Sequence, residues 1–419
     1  MPQRAIGPIR VSEDGRYFVD QNREPFFWLG DTQWELFLRF NDQEAERICE
    51  NRKNKGFSVL QIMILGVDGG TKPNVFGELP FLNDNPLTPN ERYFAHVDSV
   101  VEMADRNALV CVIGVYHKSD DCGKLITLAN ARPWARWVGR RYERYPNIIW
   151  SMYPEAKDSY TAIAQELAAG LQEGDGGRHI ITVHPDPAPA SSSELWHNEG
   201  WLAFNTLQVW LLYSDPGFHN GTGLFSMTRT DYEEPPPKPT VMGEGGYEGL
   251  QSGRTNTPLE IRKQAWWSYL AGGHHTYGHN DNWSNPSAWK SWIDSPGACH
   301  MTAYRRIVTS IPRWWAWIPD QSILADSPGT GPTLNAAARS DAGDWILAYI
   351  ASPTVVTIEM DKIAAAGTAD AFWINPKTGD RALIGSRPAR GRQSFTTPAG
   401  WDDAVLLLSK PNNTTADEL

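Results

Sequence analysis

The sequence predicts an α/β fold, a (β/α)8 barrel followed by a C-terminal antiparallel β-sandwich. Eight short apolar runs alternate with helix-like stretches between residues 25 and 310, and parallel strands need such crossovers. After Trp314-Trp315-Ala316-Trp317 the periodicity changes to short β runs separated by turn residues. A chain of 419 residues has room for a barrel of about 250 residues and a second domain of about 100.

Residues 9–20 alternate around Asp14-Gly15 and read as a hairpin closing the bottom of the barrel. Pro25–Asp31, Ser58–Leu65, Leu109–Tyr116 and Asn147–Glu155 read as barrel strands one to four. His179–His184, Phe204–Trp210, Pro239–Glu244 and His274–His279 supply strands five to eight. Asn41-Asp42 with Glu44 starts a helix that Gly56 stops. Glu91–Arg106, Ala131–Arg144, Tyr160–Gln172 and Leu259–Leu270 read as further helices, and Ala298–Ser310 closes the barrel. The Gly/Pro/Asn-rich stretch 66–90 is a loop of a length that is commonly functional. Sandwich strands are expected at Trp345–Ala351, Val355–Met360, Ala371–Ile374 and Ala404–Ser409. The expected domains are a catalytic barrel with its hairpin over 1–318, a sandwich over 319–410 and a disordered tail over 411–419, with the Trp314, Trp315 and Trp317 rings at the seam.

A formal charge of −11 argues against duplex nucleic acid or an anionic membrane surface as partner, since neither attracts an acidic protein. Four scattered cysteines form neither a disulfide framework nor a thiolate zinc site, which fits a reducing compartment. The N-terminus lacks the apolar core of a secretory signal, and no run approaches the roughly eighteen apolar residues of a spanning helix. A cytoplasmic protein is the expectation. Nineteen tryptophans supply flat faces of the kind on which sugar rings stack.

Lys238–Tyr247, KPTVMGEGGY, carries the chemistry: an apolar strand ends in glycines that flank Glu244, with Tyr247 beside it. Asn147–Glu155 likewise closes on a carboxylate. Two acids at two strand exits are what a glycoside hydrolase shows, one serving as acid/base and the other as nucleophile. Glu248 is the rival to Glu244, but it lies further from the strand end. Other strand ends supply polar and aromatic groups suited to a hydroxyl-rich ligand: Asp31, Trp34, Gln61, Tyr116, His117, His184, Gln208, Trp210, His275 and Tyr277.

Taken together, YFVD, PFFWLGDTQW, KGFSVLQ, PNVFG, YFAHVD, RRYERYPNIIW, KPTVMGEGGYE, GGHHTYGHN and WINPKTGD resemble the apiosidase-like glycoside hydrolases. These are barrels followed by a β-sandwich often labelled collagen-binding. The resemblance implies a carbohydrate substrate, apiose among the sugars it suggests, and places Glu244 at the family's nucleophile or base. Glu155 falls where that family has an Asp after two glycines, which here are replaced by Tyr153-Pro154.

Two other classes compete. A metal-dependent barrel hydrolase or isomerase would use His117, Asp120, Asp121, His184, His275 and His279, but no HxH follows the first strand and no HExxH occurs. A binding or adhesion protein has no physical need for two acids at strand exits. No cofactor or metal is expected, the partner is a carbohydrate, and the sequence sets neither the linkage nor the oligomeric state.

Overall fold

A computed structural model describes residues 7–67, 69–209, 223–251, 255–365 and 367–411; of Asp120 it describes the backbone alone. Most of the expected 411–419 tail lies outside the described residues. Parallel strands Leu29–Thr32, Val59–Met63, Val110–His117 and Ile148–Tyr153 pair in succession. On its other edge Leu29–Thr32 pairs with His274–Tyr277, which leads through Thr240–Gly245 to Asn205–Val209. Residues 180–184 fill the remaining gap. The Thr182 and His184 amides donate to the carbonyls of Trp150 and Met152 at 2.9 and 2.8 Å, and Ala203 N–H donates to Ile181 O at 2.9 Å.

This fifth position is thinly paired on its far side for a physical reason. The antiparallel pair Ala190–Ser191 already occupies the edge of the sixth strand at Gln208 and Leu207. The first barrel strand also departs from expectation. Pro25–Phe26 pairs with Phe18–Val19, which pairs with Arg10–Val11, making a three-stranded floor sheet. Only Leu29–Thr32 enters the barrel. The floor sheet puts Ile9, Phe18, Phe26 and Trp28 beneath Val59, Val112, Ile149 and Val241, plugging the barrel with apolar side chains.

The helices start where their caps dictate. Asn41 and Glu44 form a capping box on Asp42–Asn54, and Thr257 and Glu260 form another on Pro258–Leu270. The second of these helices is buried on nearly every face because it lies between barrel and sandwich. In the sandwich the strands Trp317–Pro319, Ala336–Ser340, Trp345–Ile350, Ala404–Ser409, Thr368–Ile374 and Arg381–Pro388 make one sheet in that order. It faces the pair Val355–Glu359 and Arg392–Thr396 across a second apolar cluster. Strand Trp317–Pro319 straddles the expected domain boundary. The helix Gly223–Glu233 and four of the sandwich strands had no sequence signal; Arg381–Pro388, for example, is an edge strand without a continuous apolar face.

Barrel and sandwich share one core. Trp314 and Trp317 are buried in it, Trp315 packs against it, and Trp317 stacks on Tyr269 at 4.9 Å. Larger parts of the seam come from elsewhere. Trp266 stacks on Tyr349 at 5.9 Å, and the Trp267 and Trp345 indoles donate to Leu334 O and Pro312 O at 2.9 and 3.0 Å. The buried Arg262 guanidinium bonds Asp403 through two nitrogens at 2.8 and 2.7 Å, and Tyr349 OH donates to the same carboxylate at 2.8 Å. Among the described residues no helix is long and apolar enough to cross a membrane.

Candidate active site

Side chains of a strand alternate between its two faces. On the seventh strand Val241 points into the barrel, and Met242 points outward to Leu224 and Met227. Strict alternation would send Glu244 outward as well. A β-bulge prevents this: Met242 pairs with Leu207 but Glu244 pairs with the next residue, Gln208, so Gly243 is the extra residue. A Cβ at Gly243 would strike Thr206 Cγ2, so the inserted residue has to be glycine. The Gly243 carbonyl accepts from Gln61 Nε2 across the barrel. Next along the chain, Gln264 Nε2 donates to Gly246 O at 2.8 Å, and a Cβ at Gly245 would meet the same glutamine.

Glu244 is thereby turned inward and only 5% exposed. Its Oε1 accepts from Tyr247 OH at 2.5 Å, and its Oε2 accepts from Tyr153 OH at 2.7 Å and Gln208 Nε2 at 3.1 Å. Trp34 Nε1 in turn donates to Tyr247 OH at 2.7 Å. Burial, then the Glu244 charge, pushes both tyrosines well above the ordinary phenol range, so they remain proton donors. The His184 ring lies edge-on to Tyr153, with Nε2 3.5 Å from Glu244 Oε2. Burial and then nearby His117 lower its pKa to about 3, so this contact is no ion pair at neutral pH.

A cavity of about 230 Å³ opens over Glu244, lined by Trp34, Val67, Tyr153, Tyr247, Leu250 and Trp283. His117, Lys118 and Asp186 complete the lining. Ser119 N–H donates to His117 Nδ1 at 2.9 Å, which fixes the neutral ring's proton on Nε2. Lys118 Nζ pairs with Asp186 and stands 3.4 Å from Glu155. Burial opposes the Lys118 charge, but Asp186 and Glu155 outweigh it and raise the ammonium's pKa.

Glu155 stands outside this lining. Its other oxygen pairs with Lys157, and that hydrogen bond, opposed by burial and reinforced by Lys118, lowers its pKa. An acid/base role for Glu155 would need a carboxyl that holds its proton, and these neighbours favour the ionised form. Trp34, His117 and Tyr247 are in the cavity wall as the sequence suggested, while Gln208 and His184 support Glu244 from behind it.

Four other expected site residues face outward. Asp31 pairs with Arg52 Nε at 2.5 Å between strand and helix. Tyr116 belongs to the outer apolar layer and borders a separate depression with Tyr160. His275 lies edge-on to Tyr304, and Tyr277 OH donates to Glu248 Oε2 at 2.6 Å. For Asp31, His275 and Tyr277 the cause is alternation, which gives their neighbours Gly30 and Thr276 the inner face; for Tyr116 it is a register shift between Gly114 and His117 that turns the histidine inward in its place. Gln61 is inward but spends its amide on Gly243. Trp210 lies outside the described residues.

Sequence reasoning missed Asp186, a carboxylate just past the fifth run and so the same signal that marked Glu155. Lys118, Tyr153 and Trp283 were missed as well. Among the described residues no three His, Cys, Asp or Glu side chains converge as metal ligands would.

Comparison with known proteins bears on the fold and the family. A solved glycoside hydrolase superposes with a TM-score of 0.87 at 25% identity, covering 98% of this chain and 99% of the other. A glycoside hydrolase family 5 protein from Bacteroides vulgatus gives 0.86 at 24% identity, covering 96% and 94%. No curated relative matches significantly. Residues 318–409 match a family model named for a collagenase's collagen-binding domain. Residues 12–315 match the model of the apiosidase-like catalytic domain. With its barrel matched over nearly its whole length and an inward carboxylate beneath an aromatic cavity, the chain belongs to the apiosidase-like family and is a glycoside hydrolase.

Proposed function

We propose that the chain hydrolyses a pentofuranoside such as apiose in plant or other polysaccharide-derived glycans, with retention of configuration and Glu244 as nucleophile. The observation that carries this reading is the setting of Glu244, buried at the cavity floor and oriented by two phenols and an amide. Such neutral donors fix the carboxylate's direction without cancelling its charge, as attack on an anomeric carbon requires. A cavity of about 230 Å³ is smaller than the roughly 300–1,000 Å³ of sites for drug-sized ligands, which suits one small ring. Trp34 and Trp283 offer it apolar faces.

The leaving group's proton comes from the cluster in which Lys118 gathers the carboxylates of Glu155 and Asp186. Retention needs about 5–5.5 Å between the working carboxyls, whereas inversion needs about 6.5–9.5 Å to admit water. The test is a panel of aryl glycosides, apiofuranosides and arabinofuranosides included, with the first-formed anomer read by NMR. Turnover of a pentofuranoside with a retained anomer is expected. An inverted first product sinks the retaining assignment, and turnover of pyranosides alone sinks the sugar.

A further inference from the structure

We infer that Asp186, at the exit of the fifth barrel position, is the general acid/base that works with Glu244. The inference rests on the hydrolase reading and names the second carboxylate of that site.

Placement is the first argument. Asp186 and Glu244 line the same cavity, and Glu155 is absent from the lining. The Asp186 side chain is 10% exposed, against 22% for Glu155. A group that must deliver a proton within a shielded cavity needs the first environment, and a group held by a surface lysine has the second.

The second argument asks what else the Asp186 side chain would do. Its loop is held without it: Asp186 N–H donates to Pro154 O at 3.1 Å, and Ala156 N–H donates to Asp186 O at 2.6 Å. These backbone bonds tie the exits of strands four and five together, so the side chain is not needed to hold the loop. It is directed to Lys118 and the cavity.

The third argument is the shared lysine. When Asp186 carries a proton it no longer neutralises Lys118, which would be left as a partly buried unpaired cation. Glu155, 3.4 Å from the same ammonium, keeps it paired in that state. Glu155 is thus a positioning residue, and its lowered pKa fits a carboxylate that stays ionised throughout.

The reaction balances with groups already present. A Glu244 oxygen bonds the anomeric carbon as the glycosidic C–O bond breaks; the bonding pair goes to the leaving oxygen, which takes the Asp186 proton. In the second step Asp186 accepts a proton from water as that oxygen bonds the anomeric carbon, and the ester to Glu244 breaks, restoring both carboxyls.

The test compares variants on two aryl glycosides of whichever sugar the wild type turns over, one with a 4-methylphenyl and one with a 2,4-dinitrophenyl leaving group. Asp186→Asn should lose about 10²-fold or more on the first and far less on the second. Azide should restore the second and yield a glycosyl azide of retained configuration. Asp186→Ala, which leaves space for azide, should give the same pattern if Asp186→Asn folds poorly. Lys118→Met should move the alkaline limb of kcat/KM upward, because loss of a neighbouring cation favours the protonated acid. Glu155→Gln should show the wild-type dependence on leaving group and no azide product. Leaving-group dependence and azide rescue in Glu155→Gln, with equal losses on both substrates in the Asp186 variants, would overturn the assignment. A folded wild type that turns over no glycoside removes the hydrolase reading itself, an outcome distinct from an active enzyme with the wrong variant pattern.

Discussion

Glu244 and Glu248 are four residues apart, each 5% exposed and each held by several donors, yet their settings differ. Glu248 accepts from Tyr277 OH at 2.6 Å, Ser295 OH at 2.8 Å and Gly297 N–H at 2.9 Å. The last two donors stand at the start of helix Pro296–Thr309, whose first amides lack intrahelical acceptors, so Glu248 is a cap contributed from another loop. A Cβ on Gly297 would strike its oxygens, so that shell is closed. Glu244 draws its donors from Tyr153 and Gln208 on two other strands and from Tyr247 in its own loop, and it borders open volume. Burial and hydrogen-bond count do not separate the two carboxylates; the source of the donors and the space in front of the oxygens do, and on the proposed mechanism these mark the reactive one.

The sharpest way to break this comparison is Glu244→Gln, which should cut turnover by about 10⁴-fold or more while leaving the melting temperature nearly unchanged. Steady-state kinetics beside a thermal melt decides it, and activity within tenfold of wild type would end the distinction. Glu248→Gln should do the reverse, with activity per folded molecule close to wild type and stability lower by about 1–3 kcal/mol in urea unfolding. Next come the tyrosines. Tyr247→Phe removes a donor to Glu244 and should lower kcat about tenfold, roughly 1.4 kcal/mol of barrel-centred catalysis. Tyr277→Phe should leave kcat alone and cost about 1 kcal/mol of stability; a fall in kcat there would place Glu248 in the chemistry.

The smallest effect concerns His275 on the outer face, whose pKa burial lowers to about 3. Between about 3 and the unfolded value near 6.5, the unfolded chain binds a proton here that the native state refuses. Its contribution is complete above about 6.5 and is lost as pH falls. Going from pH 6.5 to 5.5 should cost about 1 kcal/mol through this group. His275→Gln should flatten the dependence of melting temperature on pH in that interval and leave the pH profile of activity unchanged, which a residue of the cavity would not do.

Much of the barrel was legible because a buried parallel strand announces itself as an apolar run ending in glycine or a polar cluster. What a run does not announce is its phase. Tyr116 and His117 are neighbours with equal claims on a sugar, and pairing alone decides that the histidine is inside. Phase also misplaced Asp31, His275 and Tyr277. It would have misplaced Glu244 too, had the Gly243 bulge not shifted it by one residue; the glycine was visible, but its bulge was not. Pro25–Asp31 reads as one apolar run although its two ends join different sheets, a division set by the hairpin just before it, which takes Pro25–Phe26 into the floor. Asp186 sat in view between two prolines, but the fifth run was read as ending at His184, two residues short of it.

Helix Pro258–Leu270 has two clients. Its Gln264 fastens the Gly246 carbonyl just past Glu244, while its Arg262 and Trp266 are fastened to Asp403 and Tyr349 of the sandwich. The C-terminal domain lines no part of the cavity, yet it is joined through this one helix to the loop that follows Glu244. On the proposed mechanism the sandwich is then a backstop for that loop, and substitution of the buried Asp403 is expected to lower turnover as well as stability.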